Sequence, residues 1–223
     1  FDFTSSLRLT DISGGVAREV DLEAATKSGN RIYWMGSSSN SSTGDSRPNR
    51  NRIFATDITG SGAATTLSYA GRYDYLRDDL IAWDQSNVHG LGANYFGLAS
   101  SASAGTVPEL ANGGGFNIEG LVFAPGSSTT AYVGLRAPLA STTTRTRALL
   151  VPVTNFSSLA VSGNAAGSAT FGAPIQLNLG GRGVRDLASN GSDIVIVAGS
   201  AGSTSNFALY TWDGSPSSPA IKR

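Results

Sequence analysis

The chain has 223 residues, no cysteine, one histidine (His89), and 16 basic against 16 acidic side chains, for a formal net charge of zero. Without cysteine there is no disulfide, no thiolate nucleophile and no cysteine-held zinc, and a single imidazole excludes a polyhistidine metal centre. The balanced charge argues against nucleic-acid binding, which needs a basic surface to neutralise phosphates. Hydrophobic residues make up 40% and charged residues 14%, a composition that supports a core and departs from that of disordered chains. Gly, Ser and Thr fill about a third of the sequence, and with frequent turn formers and β-branched runs they predict an all-β protein. No apolar run is long enough to span a bilayer.

In chain order, Phe3–Ile12 reads as the last strand of a sheet unit. Asp21–Ala25 begins the next unit, and the turn Ser28-Gly29-Asn30 leads into Arg31–Gly36, where polar and apolar residues alternate. Asn51–Ile58 and Thr65–Tyr69 read as its third and fourth strands. Tyr73–Gln85, with Leu76, Leu80, Ile81 and Trp83, is the best helix candidate, and a short helix or an irregular loop fits there equally well. A second unit runs from Asn117–Leu121 through Leu121–Phe123, the turn Pro125–Thr129 and Ala131–Leu135 to Ala148–Val153 and Ile175–Leu179. Pro152 inside the fifth of these segments predicts a strand edge or a bulge. The third unit opens at Gly183–Leu187 and continues through a hairpin of Asp193–Ala198 with Phe207–Trp212. Three Ser/Gly-rich stretches, Ser37–Asn49, Ser100–Gly115 and Ser162–Ala173, read as long loops inside a single domain covering 1–223.

The units repeat one order: a short first strand, a tight turn, an apolar second strand ending in small residues, then a third and a fourth strand. Three or more such units in series are the mark of a β-propeller of four-stranded blades. Closure typically takes at least four blades. Either a further blade lies in the weakly patterned Tyr73–Gly97 stretch, or the chain, which opens on Phe1 and stops where a fourth strand of the third unit is due, is an incomplete propeller or part of a longer one, with the missing blades supplied by further chain; the second is the expectation.

The segments DLEAAT with IYWMGS (21–37), FNIEGLVF with YVGLRAPL (116–139), ALLVPVTNF (148–156), LNLGGRGVRDLA (177–188) and FALYTWDG (207–214) resemble a bacterial family known as domain of unknown function 3616. The resemblance implies a propeller-like fold in secreted or periplasmic proteins. A more distant similarity, through the Glu-Gly-Leu blade start, links the chain to phytase-like esterase domains.

First strands of propeller blades line the central channel. Only four glutamates occur, and two of them, Glu23 and Glu119, hold the same place in two repeats. Arg185 or Asp186 holds it in the third. Converging carboxylates can bind a hard cation such as Ca²⁺, act as acid and base, or simply pair with arginine and backbone N–H groups. Arg136, Arg182 and Arg185 offer planar forks for a small anionic ligand, unless they close an ion-pair network with Glu23, Glu119 and Asp186. His89 reads as an exposed or locally bonded side chain in a polar loop. Asp74, Asp78, Asp79 and Asp84 lack the spacing of a Ca²⁺ loop and read as a solvated face. The expected function is a binding module that holds a ligand or protein partner at the channel mouth. The alternatives are a metal-assisted phosphoesterase using Glu23 and Glu119, and a structural surface protein.

Overall fold

Alternating apolar residues and evenly spaced turns fold into sheets because each strand can bury one face and hydrogen-bond both edges. In a computed structural model, which describes residues 1–223 apart from Ala111 and Ser162, the chain is mostly β. A one-turn helix, α1 (Thr4–Leu7), and a small hairpin, β1 (Ile12–Ser13) with β2 (Val16–Ala17), come first. The first four-stranded sheet follows, made of β3 (Leu22–Ser28), β4 (Arg31–Gly36), β5 (Ile53–Thr59) and β6 (Thr66–Tyr73). Two helices, α2 (Leu76–Gln85) and α3 (Leu98–Ala102), precede the second sheet of β7 (Asn117–Phe123), β8 (Ala131–Ala137), β9 (Ala148–Val153) and β10 (Ile175–Leu177), with α4 (Phe156–Leu159) between its last two strands. The third sheet holds β11 (Gly183–Ser189), β12 (Ile194–Gly199), β13 (Ala208–Trp212) and β14 (Ile221–Lys222).

Each of these three sheets is an antiparallel meander with its strands paired in chain order. The opening strands pack side by side, β3 against β7 and β7 against β11. A backbone bond from Ile118 N to Ser37 O, 2.9 Å long, ties the start of the second sheet to the end of β4. Two apolar layers fill the spaces between sheets. Tyr33, Met35, Ile53 and Tyr73 meet Ile118, Leu121, Val133 and Val151 between the first and second sheets, and Leu76, Leu80 and Trp83 of α2 extend that layer. Their spacing of four and three residues puts them on one helix face. Tyr132, Leu150 and Ile175 meet Val184, Leu187, Ile196 and Trp212 between the second and third. Pro152 O accepts a bond from Gly172 N beyond the last pairing of β9 with β10, so the missing proline N–H breaks no ladder.

Three expectations need correction, and a fourth holds in part. Phe3–Ile12 is not a strand: Thr4–Leu7 coils into α1, and Phe3 anchors the segment against Phe54 and Tyr69, with ring centroids 6.5 Å from each. A fourth strand of the third unit does form, as the short β14 paired with Tyr210 and Thr211. The acidic cluster is not a solvated face throughout, because Asp79 and Asp84 are buried. Asp79 Oδ1 accepts from Gly167 N (2.9 Å) and its Oδ2 from Ala169 N (3.0 Å). His89 is locally bonded, Nε2 with Asp84 Oδ1 at 3.2 Å and Nδ1 accepting from Leu91 N at 3.1 Å, but its side chain is covered, not exposed, with the ring edge-on to Trp83 and Phe96. Of the loops, Ser100–Gly115 begins inside α3, and within Ser162–Ala173 the residue Ser162 lies outside the described residues.

Candidate functional site

The pairing of each opening strand slips by one residue at the same place. In β3 the register jumps between Leu22 and Ala24, leaving Glu23 as the extra residue. In β7 it jumps between Ile118 and Gly120, leaving Glu119, and in β11 between Val184 and Asp186, leaving Arg185. A β-bulge turns the side chain of its extra residue out of the regular alternation. Three equivalent bulges on three adjacent strands therefore aim Glu23, Glu119 and Arg185 into one junction. A further slip opposite Asn117–Ile118 frees Arg136 on β8 in the same way.

Glu119 is the centre of that junction and is 3% exposed. Its Oε1 accepts from Arg136 Nη1 at 3.0 Å and from Asn117 Nδ2 at 2.9 Å. Its Oε2 pairs with Arg185 Nε, whose guanidinium also stacks 5.3 Å from the Phe207 ring centroid. Arg136 Nη1 is shared with Glu109 at 2.9 Å, while Nε and Nη2 donate to the carbonyls of Ser200 and Gly202 at 3.3 and 2.7 Å. Such charge-assisted bonds, closed on every side, are how buried charge is tolerated.

Beside the junction lies a second ionic set. Asp21 adopts a left-handed φ of 57°, which Asp accepts more readily than most residues. Ser37 holds it there, with N to Asp21 O at 3.0 Å and Oγ to Asp21 Oδ2 at 2.7 Å. Arg50 reaches Asp21 at 3.1 Å, Glu19 at 2.9 Å and Ser39 Oγ at 2.9 Å. These loop hydroxyls are buried: Ser37, Ser38 and Ser39 are each at most 2% exposed. Asn40 fastens the loop from below, donating to the carbonyls of Ser103 and Thr106 at 2.9 and 3.0 Å.

The two ionic sets enclose a recess of about 470 Å³, walled by Asp21, Glu23, Arg50, Glu109, Asn117 and Arg136 among others. Glu23 projects into it from β3 and makes no ion pair among the described residues. Although its side chain reaches solvent, the crowded recess raises its pKa to about 7, first by burial and then by the like charges of Glu119 and Asp21, against the opposing pull of Arg185 and Arg136. Two buried polar atoms in the wall, Asn117 Oδ1 and Arg50 Nε, have no hydrogen-bond partner among the described residues. Recesses of similar volume elsewhere, about 490 Å³ beside Lys27, Phe123 and Asp193 and about 500 Å³ beside Thr142–Arg145, gather no comparable ionic set.

Of the residues singled out in the sequence, Glu23, Glu119, Arg136 and Arg185 come together, and the third repeat uses Arg185, not Asp186. Asp186 faces solvent and accepts from Leu187 N at 2.8 Å. Arg182 lies apart, holding Asn206 through Nη2 to Oδ1 at 2.7 Å and Nε to O at 3.0 Å. Asn117, Asp21, Arg50 and Glu109 were not foreseen. Asp21 and Asn117 carry a usable signal, since each stands two residues before the repeated glutamate. Arg50 and Glu109 come from loops with no repeat to mark them. No group of three or more His, Asp or Glu side chains placed to hold a metal ion occurs among the described residues, because the carboxylates here face guanidinium groups. No helix among the described residues is long and apolar enough to cross a membrane.

The family described as "Protein of unknown function (DUF3616)" matches residues 104–221, just over half of the chain. No curated protein matches the chain.

Proposed function

For this chain, which belongs to the DUF3616 family, we propose a propeller-type binding module whose ligand occupies the recess at the junction of the opening strands. Each meander is one blade in this reading. Support comes from the chain-ordered pairing of all three sheets, their adjacent first strands and the bulge repeated in each. Further blades would pack on the outer faces, where Leu22 at one side and Phe207, Leu209 and Ile221 at the other are exposed. A place outside the cytoplasm is part of the reading and rests on the resemblance to exported bacterial proteins alone.

The observation that carries the binding reading is the recess itself. Its volume suits a small molecule, and among the described residues one carboxylate in it has no ionic partner and a buried Asn carbonyl oxygen in its wall has no donor. A folded protein rarely leaves such an atom unsatisfied. The test is a thermal-shift screen of the purified protein against a library of neutral, anionic and cationic metabolites. Hits are expected in the wild type and lost in Asn117→Leu, which fills the recess wall with an apolar side chain. A silent screen, or hits unchanged in that variant, contradicts the reading.

Glu23 favours a second reading. A carboxyl group with a pKa of about 7 in a polar recess has the poise of a general acid or base, as a hydrolase would use. Turnover of a phosphate-ester or carboxyl-ester panel that disappears in Glu23→Gln would select this reading over simple binding.

A further inference from the structure

We infer that the recess selects a small hydroxylated primary amine, whose ammonium group is received by the Glu23 carboxylate and the Asn117 side-chain oxygen. The inference rests on the binding reading above and names its ligand class. It starts from which groups are already spoken for. Arg136 is held by two glutamates and two backbone carbonyls, Arg185 by Glu119 and the Phe207 ring, and Arg50 by Glu19 and Asp21. An anionic ligand would therefore meet guanidinium groups that already carry carboxylates, with Arg50 Nε the donor left open in the wall. Around the recess, five carboxylates face three guanidinium groups, so the surplus charge is negative.

Glu23 is where that surplus is unspent. The buried Asn117 amide uses its Nδ2 on Glu119 and leaves Oδ1 without a donor among the described residues, at 6% residue exposure. Both vacancies are acceptors, and a protonated amine brings three donors on a compact charge. A hard cation fits less well. Ca²⁺ takes about six to eight oxygens, whereas the carboxylates here other than Glu23 are tied to arginine and no metal-holding group is present among the described residues. Arg50 Nε, buried and without an acceptor among the described residues, adds one neutral requirement that a hydroxyl oxygen on the ligand meets. Acceptors for an ammonium and one donor for a hydroxyl together describe an amino alcohol or amino sugar.

Titration of the ¹⁵N-labelled full chain at pH 8 with ethanolamine, glucosamine, glucose and glucuronate tests the inference by amide chemical shifts. The two amines should move the Asn117 side-chain amide and the backbone amides of residues 21–24. Their affinity should fall at least tenfold in Glu23→Gln, a substitution at a solvent-reached position that should keep the wild-type spectrum elsewhere. Glucose should bind at least tenfold more weakly than glucosamine, and glucuronate should leave the recess unchanged. Glucose or glucuronate binding as tightly as glucosamine overturns the amine inference and leaves the recess as a binding site. Amines that move nothing overturn the inference as well; the binding reading falls with it only if the wider metabolite screen is also silent.

Discussion

Glu119 is the residue on which the junction balances, because one buried carboxylate answers two guanidinium groups and an amide. Removing one partner of a buried ion pair leaves the other charged and desolvated, at a typical cost of about 3–5 kcal/mol. Glu119→Gln should therefore lower unfolding stability by about 3 kcal/mol in urea denaturation, and a loss under about 1 kcal/mol, the level of a surface pair, would show that the junction is open to water. Glu119 and Glu23 were legible before the structure, because two of four glutamates recur at one place in the repeat. The choice between Arg185 and Asp186 was not, since it depends on where the pairing slips, and a slip of one residue leaves no trace in composition. His89 was legible in part: its bonds to Asp84 and Leu91 are local, but its covering was not foreseen. Its neighbours in sequence are polar, but Trp83 and Phe96 close over it from α2 and the following loop.

Among elements, the opening strands do the positioning. Gly183 at the start of β11 lies against the Arg136 carbonyl, where even a methyl group would collide with backbone. Gly183→Ala should force β11 away from β8, destabilise the fold by about 2 kcal/mol as overpacked sites do, and loosen the Arg136 bonds to Ser200 and Gly202. Equilibrium unfolding and the shifts of the Ser200–Gly202 amides check this, and wild-type behaviour in both would mean that the strands are not in that contact. Strands β4 to β13 were readable from apolar runs and turns to within a few residues, since burial on both faces requires such runs. The Ser37–Asn49 segment was not. A Ser/Asn-rich stretch looks solvated in sequence, and its burial depends on partners brought from afar, Asp21, Arg50 and the carbonyls of Ser103 and Thr106. The N-terminal segment failed likewise, because Phe3 finds its aromatic partners only once β5 and β6 are in place.

On the scale of the molecule, the repeat order predicted three sheet units, the third cut short of its last strand, and three four-stranded sheets form in that order along the chain. What composition could not convey is the meeting of their first strands, which turns three unremarkable bulges into one charged recess. That meeting has a consequence for stability. The Glu23 carboxyl has its pKa raised on folding, from an ordinary value near 4.5 to about 7. Below the lower value it is protonated in both states. As pH rises toward the upper one, the unfolded chain releases its proton first, so the folded state loses ground through this window and keeps the deficit above it. The measurement that bears most directly on the junction is therefore an NMR titration of the four glutamate carboxyl carbons, in the wild type and in Glu119→Gln. A Glu23 midpoint near 7 is predicted in the wild type, moving downward in the variant as one like charge goes and two arginines are released. A Glu23 midpoint in the ordinary carboxylate range, indifferent to Glu119→Gln, would contradict the convergence of the three opening strands.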